Sequence, residues 1–150
     1  AMFTPHAKYT QSASVRALNQ VGGILDTHIT GIVDMVRIVQ HGINPDAVEA
    51  LVKLGFSRGD IAWIVPQRTL THRRQKKERL TAEESGRWLR AAKIQALAKV
   101  VMGEDEKAIQ WLHKKRKAFD NMSAMELMQT EAGGQLVEEY LGQLDTGYYA

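Results

Sequence analysis

The fold and the first functional prediction rest on one basic stretch, which reads Gln67-Arg68-Thr69-Leu70-Thr71-His72-Arg73-Arg74-Gln75-Lys76-Lys77. It follows the short apolar segment 57–65 and begins one residue after Pro66. A DNA-binding helix-turn-helix needs a short support helix, a tight turn and a second helix whose first residues reach base edges. The stretch therefore predicts the second helix of such a motif, although the turn lacks the glycine that this motif commonly has.

Glutamine pairs well with adenine and arginine with guanine in the major groove. We therefore assign base contacts to the first two turns of the predicted helix, that is to Gln67, Arg68, Thr69, Thr71 and His72. Phosphate contacts, which fix position rather than base preference, are assigned to Arg73, Arg74, Lys76, Lys77 and Arg79. The alternative is a solvated basic helix with no nucleic-acid role. An operator usually takes two copies of the motif, so a homodimer is expected.

Charge is unevenly distributed along the 150 residues. Of the 20 basic and 17 acidic residues, residues 118–150 hold six acidic ones and no Lys or Arg, which leaves residues 1–117 with 20 basic and 11 acidic groups. A basic body is compatible with nucleic acid, and an acidic end is not. The two parts of the chain are therefore predicted to bind different partners.

Nearly every periodic segment repeats at helical spacing, which predicts an all-α fold of about eight helices. Helix starts are indicated at Ser57, Thr81, Ser123 and Thr130, and helix ends at Gly42 and Gly103. One helical stripe is predicted from Leu25, Ile29, Ile32, Val33, Val36 and Val39 or Gln40. We divide the chain into a DNA-binding region, residues 1–80 with an N-terminal arm, and a helical region, residues 81–150.

Nothing in the sequence favours an enzyme or a metal site. The five histidines show no i, i+4 pairing, and no nucleophile elbow or phosphate-cradling glycine loop is present. We predict no catalytic residue, no metal ligand and no cofactor. A second basic run, residues 113–117, is attributed first to the favourable placement of positive charge at a helix C-terminus.

The expected location is the cytoplasm. The chain has no cysteine, which excludes disulfides and suits a reducing compartment. The most apolar segment, residues 24–39, is interrupted by charged residues, so no membrane span is predicted. Residues 1–20 are polar and show no leader sequence.

Several motifs in a fixed order resemble the Xre/MbcA/ParS-type antitoxin family. In the first half they are Gly55-Phe-Ser57, Asp60-Ile-Ala62, Arg68-Thr-Leu70, Arg73-Arg74 and Arg79-Leu80-Thr81-Ala-Glu-Glu-Ser85. In the second half they are Gly103-Glu-Asp-Glu-Lys-Ala108, Trp111-Leu112, Leu127, Thr130-Glu-Ala-Gly133, Val137 and Gly142-Gln-Leu-Asp-Thr-Gly-Tyr-Tyr149. The resemblance covers about residues 30–150. Residues 114–123 depart from the Pro- and Gly-containing stretch common in the family.

The resemblance implies an antitoxin of a type II toxin–antitoxin system, encoded beside a RES-domain toxin that consumes NAD. It implies that the C-terminal end closes the toxin's NAD pocket and that operator binding represses the operon. Pockets for nucleotides often hold arginines against phosphates, so an acidic end with tyrosines is a suitable plug. The predicted toxin-binding residues are Glu138, Glu139, Tyr140, Leu141, Leu144, Tyr148 and Tyr149.

Alternatives stay open at this point. The leucines and Tyr140 could pack on the protein's own core. The chain could also be a stand-alone helix-turn-helix transcriptional regulator without a toxin partner, or an interaction module whose basic helix is only a solvated face.

Overall fold

Nine α-helices, one 3-10 turn and a two-stranded sheet make up residues 12–147, the part of the chain that this computed structural model describes. In chain order the helices are α1 Ala13–Leu25, α2 Ile32–His41, α3 Asp46–Lys53, α4 Arg58–Ile61, α5 Gln67–Lys76, α6 Ala82–Met102, α7 Asp105–His113, α8 Ala124–Leu127 and α9 Glu131–Asp145. The predicted all-α class is confirmed. Within residues 12–147 no helix is long and apolar enough to cross a membrane.

The long helix α6 is the centre of the molecule, and α1, α2, α7 and α9 pack against it. It starts at the predicted capping box, in which the Thr81 side chain accepts from the Glu84 backbone N–H and the Glu84 carboxylate accepts from that of Thr81. Trp88 is fully buried, and its indole N–H donates to the Ala47 carbonyl at 2.9 Å. Because α6 contacts helices from both ends of the chain, it joins the two predicted regions through one core.

The predicted stripe from Leu25 to Val39 is wrong as one helix. Helix α1 ends at Leu25, where Asp26 takes a left-handed conformation with φ 54°, and α2 begins only at Ile32. The physical reason is a local cap: the Thr30 backbone N–H and hydroxyl both donate to the Asp34 carboxylate, at 2.8 and 2.7 Å. These hydrogen bonds start a new helix instead of continuing the old one.

Helix α2 is apolar but poorly covered. Six of its ten residues are apolar, yet none is fully buried. Ile32, Val33 and Val36 are 72%, 59% and 47% exposed. We call these three side chains the α2 apolar face. The pattern along the sequence identified the apolar residues correctly, but most of this face looks outward in the single chain.

The segment predicted as a helix-turn-helix forms two helices, and the first is shorter than expected. Ser57 forms the expected capping box with Asp60, but the regular helix covers only Arg58–Ile61 before turns lead to Pro66. Helix α5 then runs from Gln67 to Lys76 and ends at Lys77, which has a φ of 55°. The prediction for α5 is confirmed to within a residue.

The segment between α7 and α8 contains a strand pair that the sequence did not predict. Lys115–Arg116 pairs antiparallel with Met122–Ser123, around the 3-10 turn Lys117–Phe119. Asp120 and Asn121 follow with φ values of 53° and 64°. A two-residue strand is too short to show period-two alternation, which explains the omission. Ser123 and Thr130 cap α8 and α9 as predicted.

Candidate DNA-binding helix and C-terminal partner surface

Helix α5 lies on the protein surface and packs against the core through one apolar side chain. Leu70 is its only fully buried residue and belongs to the same core cluster as Ile61 and Val65. Apart from the half-buried Thr69 and Arg73, the other α5 residues are exposed. A helix with so little apolar contact offers most of its surface to a ligand.

The outward face of α5 carries Arg68, His72 and Gln75. These residues are spaced i, i+4, i+7 and therefore share one face, and all three are exposed. Arg68 and His72 were assigned base contacts from the sequence. Gln75 was omitted there, although the same spacing identifies it. Gln67 and Thr71 lie nearby, and the Thr71 hydroxyl donates to the Gln67 carbonyl at 3.0 Å.

Arg73 is held inside the molecule. Its guanidinium donates to both carboxylate oxygens of Glu84, at 2.9 and 3.2 Å, and lies 3.3 Å from Glu78. Burial pushes the pKa of Glu84 upward, but the hydrogen bonds from Arg73 and the Thr81 backbone outweigh it and leave that pKa below its ordinary value. Glu84 thus caps α6 and anchors α5 at once, so Arg73 has a structural function besides its predicted phosphate contact.

Arg74 also forms ion pairs within the protein, but it is more exposed than Arg73. It donates to Asp46 at 3.0 Å and to Glu49 at 3.4 Å, both on α3, and 46% of its side chain is exposed. Glu49 also takes a two-pronged hydrogen bond from Arg58, at 2.8 and 2.9 Å, which lowers the pKa of the Glu49 carboxyl. The acids of α3 therefore neutralise part of the positive charge around α5.

Three cationic side chains of α5 and its C-cap are free. Within residues 12–147, the side chains of Arg68, Lys76 and Lys77 are exposed and make no hydrogen bond or ion pair. Arg79 donates to the Gly42 carbonyl at 2.9 Å. The free charges lie at the two ends of α5, and the two paired arginines lie between them.

An aromatic cluster supports the C-terminal half. The Tyr140 ring lies 6.1 Å from that of Trp111 and 5.0 Å from that of Phe119, between centroids. The Arg116 guanidinium stacks 4.3 Å above the Trp111 ring and donates to the Trp111 carbonyl at 3.2 Å. Burial lowers the pKa of Arg116. This cluster fixes the strand pair against α7 and α9.

The other residues predicted to contact a toxin differ in their surroundings. Glu139 is exposed and accepts from the Gln135 side chain at 3.3 Å, whereas Glu138 is half-buried and pairs with Lys93 at 3.0 Å. Leu144 is half-buried, but Leu141 is fully buried in the core. Tyr148 and Tyr149 lie outside the described residues.

Two adjacent glycines lie in close contact with neighbouring residues at the start of α9. A Cβ at Gly133 would collide with the Leu127 carbonyl oxygen, and one at Gly134 would lie 2.7 Å from the Arg90 Cδ. Arg90 uses the space beside Gly134 to donate to the carbonyls of Met128 and Gln129, at 2.8 and 3.1 Å. Close packing of α8 against α9 therefore requires Gly133, and Gly134 leaves room for the Arg90 side chain.

Residues 12–147 contain no group of three or more His, Asp or Glu side chains that could hold a metal ion.

Comparison with known proteins shows a similarity to antitoxins. Residues 95–147, from the second half of α6 to just beyond α9, match the model of the antitoxin Xre/MbcA/ParS C-terminal toxin-binding domain. The chain is 41% identical over 85 residues to Antitoxin Xre of Pseudomonas putida, a match that covers 57% of this chain and only 54% of that protein. It is 29% identical over 145 residues to Antitoxin Xre of Yersinia enterocolitica, across 94% of this chain and 96% of the relative. Residues 95–147 are thus similar to the toxin-binding domain of the Xre/MbcA/ParS antitoxins, and nearly the whole chain is similar to one Antitoxin Xre.

Proposed function

We propose that this protein is the antitoxin of a type II toxin–antitoxin system, that it blocks a RES-domain, NAD-consuming toxin in the cytoplasm, and that it binds operator DNA to repress its own operon. The observation that carries the proposal is the family match over residues 95–147, which fall on α6 to α9. In this proposal, residues 1–80 form the DNA-binding region and residues 81–150 the toxin-binding region.

The outer side of α9 and the residues after it are the proposed toxin contact. Glu139 is exposed, and Glu138, Tyr140 and Leu144 are partly exposed, so all four can meet a partner without unfolding. Since residues 118–150 carry no Lys or Arg, this surface suits a cationic nucleotide pocket. Tyr148 and Tyr149 are included in the proposal from the sequence alone.

The test is co-expression with the product of the neighbouring reading frame, followed by co-purification and measurement of cellular NAD. A truncation after Asp145 removes the terminal residues but keeps Val137 and Leu141, both fully buried in the core. We expect this truncation and Glu139→Lys to reduce neutralisation, while Glu104→Lys, on an exposed glutamate before α7, leaves it unchanged. If the neighbouring product neither binds nor consumes NAD while operator binding persists, the stand-alone regulator is the better assignment.

Operator binding is assigned to α5. Arg68→Ala is expected to weaken binding to the operator and to relax base preference, because Arg68 lies free at the start of the helix. Lys76→Gln is expected to weaken binding to all duplexes alike and to reduce the salt dependence. Equal losses on every duplex for both variants would remove base recognition from Arg68.

The DNA-binding form is proposed to be a homodimer, with the α2 apolar face covered by a second copy. The toxin-binding family match does not include α2, and an apolar face is unsuited to DNA. A two-fold interface uses the same patch twice, and homodimer contacts are the more apolar class. A standard interface takes about 20–30 residues a side, far more than this face and its neighbours Arg37 and Gln40 provide. We therefore expect a weak dimer that DNA strengthens.

Sedimentation of the full chain tests the dimer. Val36→Asp is expected to shift the protein to monomer, whereas Leu136→Asp, on an apolar residue of α9 that is 44% exposed, is not. A dimer that survives Val36→Asp contradicts the assignment. Loss of toxin binding with an unchanged dimer would assign this face to the toxin instead.

A further inference from the structure

The basic run at residues 113–117 lies against the support helix of the helix-turn-helix. His113 Nε2 is 2.9 Å from the Asp60 Oδ2, and Asp60 is the capping-box residue of α4. Gly55, just before α4, also packs close to the Ile109 side chain of α7, since a Cβ there would lie 3.3 Å from it. The run is therefore next to the DNA-binding region, although it is far from it in sequence.

The single turn of α4 separates this run from the start of α5. On the α5 side, the Arg58 guanidinium lies 3.5 Å from the Gln67 side-chain oxygen. Arg58 and Asp60 belong to the same turn of α4, so the run and Gln67 both contact this one short helix. A DNA strand that passes the start of α5 would therefore pass close to the basic run.

Two lysines of the run are available for such a contact. Lys114 and Lys117 are exposed and, within the described residues 12–147, their side chains have no hydrogen-bond or ion-pair partner. By contrast, Lys115 pairs with Glu126 at 2.8 Å, and Arg116 stacks on Trp111. Helix α7 ends at His113, and the dipole effect falls off within the last turn, so it accounts for His113 but not for Lys117.

We propose that Lys114 and Lys117 bind phosphates of the operator duplex beside the half-site read by α5, so that the toxin-binding region contributes directly to DNA affinity. This inference rests on the proposed DNA binding by α5. The ligand is the DNA backbone, so the contact adds affinity without base preference.

Fluorescence anisotropy of the full chain, with an upstream-region duplex and an unrelated duplex over a series of salt concentrations, tests the contact. Lys114→Gln and Lys117→Gln are each expected to weaken binding to both duplexes equally and to reduce the slope of log K against log salt by about 0.9. The control is Lys107→Gln, which removes an exposed lysine near the other end of α7 and should leave the slope unchanged.

Unchanged slopes for Lys114→Gln and Lys117→Gln would overturn the inference, as would an equal change for Lys107→Gln, which would indicate only a general charge effect. The same measurement on Arg68→Ala distinguishes failure of the lysine contact from failure of DNA binding by α5. If Arg68→Ala weakens binding and the lysine variants do not, only this inference fails. If none of the variants affects binding, the DNA-binding proposal for α5 fails with it.

Discussion

Helices α5 and α9 both lie on the surface of the molecule, but they are held there by different forces. One leucine, Leu70, buries the apolar side of α5, and the rest of its attachment is ionic, from Arg73 to Glu84 and from Arg74 to α3. Helix α9 buries Val137 and Leu141 completely, and its first turn contains Gly133, where a side chain would collide with the Leu127 carbonyl. Helix α5 is thus held by one buried leucine and by ion pairs, whereas α9 is held by close apolar packing.

Because of this difference, salt should affect the attachment of α5 more than that of α9. Exposed ion pairs weaken with salt, whereas close apolar packing does not. The arginines that secure α5 are also the groups that a DNA backbone attracts, so attachment and ligand binding draw on the same charges. Nothing comparable applies to the buried side of α9. The predictions below probe one kind of attachment at a time.

The largest effect is expected from Leu70→Ala. Removing a buried leucine typically costs about 2–5 kcal/mol of unfolding free energy, through lost burial and the cavity left behind. Since Leu70 is the only fully buried residue of α5, the loss should release this helix before the rest of the fold. Denaturant unfolding and amide hydrogen exchange measure the two effects. Leu136→Ala, on a half-exposed α9 leucine, is the control. Uniform loss of protection in all helices would show that α5 does not detach separately.

Gly133→Ala comes next and tests the steric attachment of α9. The added methyl group collides with the Leu127 carbonyl oxygen, which is backbone and cannot rotate away. We expect a loss of about 1–3 kcal/mol, as for other overpacked sites. Thermal unfolding should show a lower Tm.

Gly142→Ala is the matched control for Gly133→Ala. It lies in the same helix with nothing within 4 Å of the added Cβ. Alanine is the better helix former by about 1 kcal/mol, so this variant should be as stable as the parent protein or more so. Equal destabilisation by both substitutions would contradict the account of the α8–α9 junction.

The sequence predicted local contacts at helix ends better than contacts between different helices. Capping boxes at Ser57, Thr81 and Ser123 were identified because both partners lie within four residues. The hydrogen bond between Arg73 and Glu84 joins two different helices, so no local pattern in the sequence predicts it. Contacts between residues distant in the chain, such as His113 with Asp60, have no periodic signal at all.

The apolar pattern of the sequence also fails to predict which apolar residues are buried. Periodicity identifies which residues of α2 are apolar, but it does not say whether a partner in the same chain covers them. Ile32 is 72% exposed, whereas Val48 of α3 is fully buried, and the sequence alone gives no reason for the difference.

Glu84→Gln should have an intermediate effect that depends on pH. Glutamine can still cap the Thr81 backbone N–H but loses the charge that pairs with Arg73, so we expect a loss of about 1–3 kcal/mol at neutral pH. The pKa of Glu84 in the folded state lies below its ordinary value of 4.5. The stabilisation is therefore fully present above that ordinary value and is lost as the pH falls through the folded-state pKa.

Chemical denaturation of Glu84→Gln and the parent protein between pH 7 and pH 3 measures this loss. The gap in unfolding free energy between the two proteins should narrow at the acid end. Glu83→Gln removes an exposed carboxylate from the same first turn and should change stability little. A gap that stays constant with pH would mean that the charge of Glu84 does not stabilise the fold.

The smallest stability effect is expected from Arg74→Gln. Its pairs with Asp46 and Glu49 lie at the surface, with 46% of the arginine side chain exposed, and such pairs contribute about 0–1 kcal/mol. Its effect on DNA binding should be larger than its effect on stability, because a phosphate can replace the acids of α3 as the partner of this side chain. Parallel unfolding and anisotropy measurements on Arg74→Gln compare the two. A fall in stability of several kcal/mol with unchanged DNA affinity would mean that Arg74, like Arg73, stabilises the fold and does not contact DNA. The positive charge available to DNA around α5 would then be confined to Arg68, Lys76 and Lys77.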